Sequence, residues 1–194
     1  MLVYGVPSYK LEKDVVAAEI DIIKAMGVEI KTGVEVGKDI TIDELRKQGY
    51  KAFYVAIGCQ GGKKAGVPGE DATGVTTAVD FLREVSEKES YNLEGDVVVI
   101  GGGNVAIDAA RCGGRVGDYK VTMFCLEDKE HMPASIEEIE EAEEENIAIN
   151  CGWGPKEILT ENGKVTGVVF KKCVSVTDAE GRFSPVYDAN EIMT

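Results

Sequence analysis

No C-x-x-C pair occurs in this 194-residue chain, and its five cysteines (Cys59, Cys112, Cys125, Cys151, Cys173) are odd in number and scattered. Such spacing argues against a disulfide frame, a metal site or an iron–sulfur cluster, and for reduced thiols in the cytoplasm. No apolar run approaches the ~20 residues that cross a bilayer, and the first residues lack a secretory pattern, so no membrane partner is expected. Basic residues are scarce: 21 Lys and Arg stand against 35 Asp and Glu, a net charge of −14. Without a basic stripe to displace counterions, no nucleic-acid partner is expected. Histidine is limited to His131. A single histidine reads as a surface residue before it reads as a base, and no side chain is assigned a catalytic role.

What is present centres on Val97 to Arg111, VVVIGGGNVAIDAAR. Val97, Val98, Val99 and Ile100 form an unalternated apolar run, which suits a parallel strand buried on both faces. Gly101, Gly102 and Gly103 follow, then Asn104, Val105 and Ala106 open a helix, filling the spacing G-x-G-x-x-G/A. Gly101 permits the tight turn, Gly103 admits a pyrophosphate to the backbone, and Ala106 lets the helix approach the strand. The unpaired N–H groups near Asn104 to Ile107 would face the phosphates, with the positive helix end behind them. This is the pattern of a dinucleotide site.

Read in order, the chain predicts a helix capped by Asp14 and running to Met26, with Gly27 as its stop. A short strand is expected at Val28–Lys31, and Thr41 with Glu44 forms a capping box before a brief helix. Lys51–Ile57 reads as a buried strand closed by Gly58, and 61–69 (GGKKAGVPG) as the domain boundary. Thr76 or Thr77 starts a helix to about Lys88. Gly113 and Gly114 end the helix after the glycines, and Lys120–Cys125 is the second strand. Ser135 and Glu138 form another capping box, opening an acid-rich helix whose charges read mostly as a solvated face. Ile147–Asn150 is a third strand. Glu157–Thr160 and Val165–Phe170 flank Asn162-Gly163 as a hairpin. After Lys172 the sequence turns polar, with no closing element foreseen.

In such a fold an acid about 20 residues past the glycines accepts the ribose 2′-hydroxyl and repels a 2′-phosphate. Glu127 is the first candidate and Asp128 the second. No arginine sits there, so NADH is expected over NADPH.

Taken together, YGVPSYKLEKDVV, GVEIKTGVEVGKDIT, AIGCQGGKKAGVPGEDATGV, VVVIGGGNVAIDAARC and MPASIEEIEEAEEENI resemble, in that order, the small (β) subunit of glutamate synthase and related flavin- and NAD(P)H-dependent oxidoreductases. The resemblance covers nearly the whole chain. It implies an α/β fold: a Rossmann-like NAD(P)H-binding domain with parallel sheet and β-meander, inserted into a second, FAD-type dinucleotide-binding domain. On that basis residues 1–72 are part of the FAD-type domain, 73–92 a linker helix, and 93–194 the NAD(P)H-binding domain. The implied activity is hydride transfer from NADH to FAD, then electron transfer to an iron–sulfur or large catalytic partner subunit. Gly101, Gly102, Gly103, Asn104, Val105 and Ala106 match the pyrophosphate loop. Glu127 matches the ribose-selecting position, and Met132 and Pro133, with His131, the loop after the second strand. NADPH-using members place two arginines where Leu126 and Glu127 stand. Asp108 and Arg111 match a helix pair expected to form an ion pair, and Cys59 is expected to be a small packing residue.

The family's cluster-binding cysteines and FAD glycine motif do not precede Met1, and its aspartate strand and Gly-Asp pair do not follow Thr194. The resemblance therefore implies a middle portion that does not retain FAD. The alternative expectation is a nucleotide-binding fragment, inactive without those segments.

Overall fold

The computed structural model describes residues 1–88, 91–117 and 119–194. Positions 89 and 90 of the expected linker lie outside them.

The first 72 residues form helices but no strand. Helix α1 (Lys13–Ala25) starts from Glu12 without a side-chain cap, Asp14 lying in its first turn instead. It buries Val16, while Ile22, Ile23 and Met26 stay exposed. Helix α2 (Ile42–Lys47) carries the expected capping box of Thr41 and Glu44. The strands expected at 28–31 and 51–57 do not form: Ile30, Phe53, Val55 and Ile57 are exposed. A parallel strand is stabilised by ladder partners at its edges. None of the strands among the described residues pairs with either segment. Helix α3 (Ala78–Glu87) starts at Thr77, whose side chain accepts from the Asp80 N–H, and it buries Phe81 and Leu82.

A parallel sheet follows, built from β1 (Val97–Ile100), β2 and β3 in that spatial order. Helix α4 (Asn104–Arg115) connects β1 to β2 (Val121–Cys125), and α5 (Ile136–Glu144) leads into β3 (Ala148–Cys151). Ala106, Ile107 and Ala110 of α4 pack with Met123, Ile139 and Ala142 on one face of the sheet. The opposite side of α4, Ala109 and Cys112, packs on Phe81 and Leu82. The helix passes through Gly113 and Gly114, where glycine was expected to stop it. Two helical glycines cost about 2 kcal/mol. Ile107, fully buried, by itself contributes about as much. Helix packing wins.

Only one face of β1 is covered, against the expectation of two. Val97 and Val99 pack on the core, whereas Val98 and Ile100 are exposed. The far face is covered instead at β2, by an antiparallel meander of β4 (Trp153–Glu161), β5 (Lys164–Thr177) and β6 (Phe183–Met193). Phe124 stacks on Phe170 there, ring centroids 3.9 Å apart at 16°. Asn162 and Gly163 at the expected hairpin both have positive φ, 51° and 78°, as a type I′ turn requires. Strand β6 was not foreseen. The loop expected as a boundary is tied to the meander at its end: Ile158 N–H donates to the Pro68 carbonyl at 2.9 Å, and Thr73 N–H to Gly163 at 2.9 Å.

Candidate functional site

The three glycines at the β1–α4 turn have different environments. Gly101 adopts φ 143°, its N–H donates to the Phe124 carbonyl at 2.9 Å, and an added Cβ would lie 3.3 Å from that of Ala106. Gly102 is enclosed: an added Cβ would stand 3.0 Å from Cys125 Cβ, 3.0 Å from Glu127 Oε2 and 3.4 Å from Pro133 Cδ. Gly103 caps α4 and faces open space, with nothing within 4 Å of an added Cβ. Among the described residues, the N–H groups of Gly103, Asn104 and Val105 have no hydrogen-bond acceptor. Four such donors begin every helix and call for an outside partner.

The segment after β2 folds back over this turn. Ala134 N–H donates to the Gly102 carbonyl at 3.0 Å, and Ser135 N–H to Asn104 Oδ1 at 2.9 Å. Met132 is buried in the core and Pro133 lies exposed beside Gly102. Glu127 is half-buried, its carboxylate next to Gly102. Its backbone is held by Gly152 N–H, which donates to the Glu127 carbonyl at 2.9 Å. Asp128, the second candidate, is engaged elsewhere: it caps the turn Lys129–His131 and bonds His131 Nδ1 at 2.7 Å. That bond raises the His131 imidazole and lowers the Asp128 carboxyl. Glu127 alone of the two acids reaches the glycines.

The remaining charges are arranged differently from the sequence reading. Asp108 and Arg111 do not bond each other. Asp108 faces Lys10, Nζ to Oδ1 2.5 Å, and Lys10 also bonds Glu138. Arg111, 5% exposed, donates from Nε to Glu145 at 2.8 Å, pairs with Glu141, and lies 3.6 Å from Glu138. Helix α5 and the N-terminal segment bring carboxylates and ammonium that outcompete the i,i+3 partner. Four glutamates of the acidic run, Glu138, Glu141, Glu143 and Glu145, thus hold cations instead of facing solvent freely. Glu138's diversion to Lys10 also leaves the expected Ser135 capping box half made: Ser135 Oγ accepts from Glu138 N–H, without a reciprocal bond. Cys59, expected to pack, is exposed because the strand before it does not form.

Tyr9 and Lys13 stand at the Tyr-x-x-x-Lys spacing of short-chain dehydrogenases. Arg115 and Arg111 lie over the Tyr9 ring at 4.1 and 4.8 Å, its hydroxyl is buried, and burial raises its phenol well above the ordinary range. That environment suits a structural ring, not a proton donor. The backbone donors of Ala134 and Ser135 escaped the sequence reading. Only the Asn at position 104 hinted at them.

A family model described as Pyridine nucleotide-disulphide oxidoreductase matches residues 4–183. The β subunit of the NADP(+)-dependent formate dehydrogenase of Moorella thermoacetica is 38% identical over 193 residues, covering 96% of this chain and 27% of that protein. The glutamate synthase [NADPH] small chain of Escherichia coli is 35% identical over 195 residues, covering 94% of this chain and 41% of that protein. The NADPH-Fe(3+) oxidoreductase subunit beta of Geobacter sulfurreducens is 36% identical over 190 residues, covering 95% and 28%. The chain thus spans less than half the length of each of these relatives. In fold it is similar to FprA of Mycobacterium tuberculosis, solved with NADPH, with a TM-score of 0.78 and 19% identity over 99% of this chain and 58% of that one. No helix among the described residues is long and apolar enough to cross a membrane.

Proposed function

The chain belongs to the pyridine nucleotide-disulphide oxidoreductase family, and from that premise we propose that its β1–α4 turn binds NADH as the hydride donor of a glutamate-synthase-small-subunit-type flavoprotein oxidoreductase. The observation that carries the reading is the Glu127 carboxylate beside Gly102, next to the open position at Gly103. The free N–H groups of Gly103, Asn104 and Val105 would hold the pyrophosphate, with the α4 dipole adding to the attraction. Ala106 keeps α4 close to β1. Pro133 would border the nucleotide, while Met132 anchors that loop in the core and the bonds from Ala134 and Ser135 hold it to the turn. Glu127 would accept the ribose 2′-hydroxyl and repel a 2′-phosphate. The named relatives are NADP-dependent proteins. The resemblance implies two arginines in NADPH-using members where this chain has Leu126 and Glu127, which supports NADH here.

Bound nicotinamide supplies the hydride, and the chain binds and orients it without a side-chain acid or base. FAD is the acceptor in this reading. A cytoplasmic setting and an iron–sulfur or large catalytic partner subunit complete the reading, supported by relatives named as β subunits and small chains. The exposed, unpaired 51–57 segment favours a second reading, a nucleotide-binding fragment without chemistry of its own. Reconstitution with FAD followed by NADH oxidation separates the two, since only the first predicts turnover.

The test of the site is Glu127→Arg. A charged hydrogen bond contributes about 1.5–3 kcal/mol, so the ratio of NADH to NADPH dissociation constants is expected to move roughly ten- to hundredfold toward NADPH. An unchanged ratio removes Glu127 from the ribose role.

A further inference from the structure

Beneath the glycine turn, Cys125 at the end of β2 and Cys151 at the end of β3 are register partners on adjacent parallel strands. Their sulfurs lie 3.7 Å apart. Neighbouring strands run about 4.8 Å apart, inside the 4.4–6.8 Å Cα separation that a disulfide spans. Small side-chain rotations therefore suffice to close the pair. Cys151 is half-buried and lines a surface cavity of about 290 Å³ with Leu126, Asp128, Gly152, Lys172 and Cys173, while Cys125 is 2% exposed. Cys173 Sγ points away, to the Ser175 carbonyl at 3.4 Å. The pair is also joined to the turn. Cys125 Cβ is a neighbour of Gly102, and its thiol donates to the Glu127 carbonyl at 3.6 Å. Met132 Sδ lies 4.0 Å from Cys151 Sγ.

We propose that Cys125 and Cys151 form a reversible intrachain disulfide on exposure to peroxide, and that its closure weakens dinucleotide binding. The second half rests on the nucleotide site proposed above. Burial, reinforced by Cys151, pushes the Cys125 thiol up to about 12, so the accessible Cys151 reacts first. Its thiol releases a proton to solvent, and the thiolate displaces hydroxide from hydrogen peroxide, giving a sulfenic acid. The Cys125 sulfur then attacks Cys151 Sγ. The S–S bond forms, the S–O bond breaks, and the hydroxide leaves with the Cys125 proton as water. Two thiols and one peroxide thus become one disulfide and two waters. Closure withdraws the Cys125 thiol from the Glu127 carbonyl and draws Cys151 off Met132, displacing both walls of the turn.

The experiment uses the chain carrying Cys59→Ser, which removes the exposed thiol. Reduced protein is treated with hydrogen peroxide, mapped by peptide mass, and titrated with NADH before and after dithiothreitol. The expected result is a 125–151 linkage with the mass of two hydrogens lost, an NADH dissociation constant raised about tenfold, worth 1.4 kcal/mol, and recovery on reduction. Cys151→Ser and Cys125→Ala, checked for fold by circular dichroism, are expected to show neither change. Sulfinic acid at Cys151 without a linkage, or a linkage to Cys173, overturns the disulfide. A linkage that leaves the NADH affinity unchanged overturns the coupling. Should reduced protein bind no dinucleotide, the nucleotide site and the coupling both fall, while the mass map decides the disulfide separately.

Discussion

Gly101, Gly102 and Gly103 stand in three different environments, which substitution can tell apart. Gly102 is the tightest. An alanine there meets Cys125 Cβ and the Glu127 carboxylate, both 3.0 Å away. Overpacking of that kind costs about 1–3 kcal/mol. Gly102→Ala is therefore expected to lower the urea midpoint and, by pushing Glu127 aside, to weaken NADH preference. A variant with parental midpoint and preference contradicts the packing described. The tight turn at Gly101 and the open position at Gly103 were legible from spacing alone, as was the placement of Glu127 near the glycines. The neighbours that make Gly102 indispensable were not legible, because they arrive from β2 and the following loop. Glu127 was ranked above Asp128 from position alone, and the physical reason, Asp128 capping its own turn, was not legible.

At the scale of elements, α4 is held by the sheet, by α3, and by charges on α5 and the N-terminal segment. Glu145 links Arg111 and Arg115. Burial alone would raise its carboxyl, but the hydrogen bonds from Arg115 and Arg111 outweigh that and hold it below its ordinary 4.5. A carboxyl lowered by folding adds stability that is present above its unfolded value and lost as pH falls through its folded one. Asp108 works in the opposite sense: burial raises it against the pull of Lys10. Glu145→Gln is thus expected to cost about 1 kcal/mol at pH 7, with the gap to the parent closing below about pH 4. Urea midpoints across that range test it, and a gap independent of pH contradicts it. Helix positions, the Thr41 capping box and the Asn162-Gly163 turn were legible because each rests on residues within one or two turns. The partners of Arg111 and Glu138 were not, since a charge chooses among everything that folding brings near it.

Across the whole molecule, residues 97–194 pack a parallel sheet and two helices around one core and lay the meander on the sheet's other face at Phe124, whereas residues 1–72 contribute helices and no strand. The Lys51–Ile57 run read as a strand because β-propensity is local, while a strand exists only where a neighbour supplies its ladder. Strand β6 was missed for the complementary reason: its polar sequence pairs because β5 extends to Thr177 beside it. The family resemblance carried the fold class, a parallel sheet with an antiparallel meander, further than residue patterns did. The central claim, a NADH site at the β1–α4 turn, is tested most directly by calorimetric titration of the chain and of Gly103→Val with NADH and NADPH. Gly103 faces open space, so the valine leaves the fold intact and obstructs only the nucleotide. The account predicts that the parent binds NADH more tightly than NADPH and that the folded variant binds neither. Equal NADH affinity in parent and variant, or a folded parent that binds no dinucleotide, would contradict it.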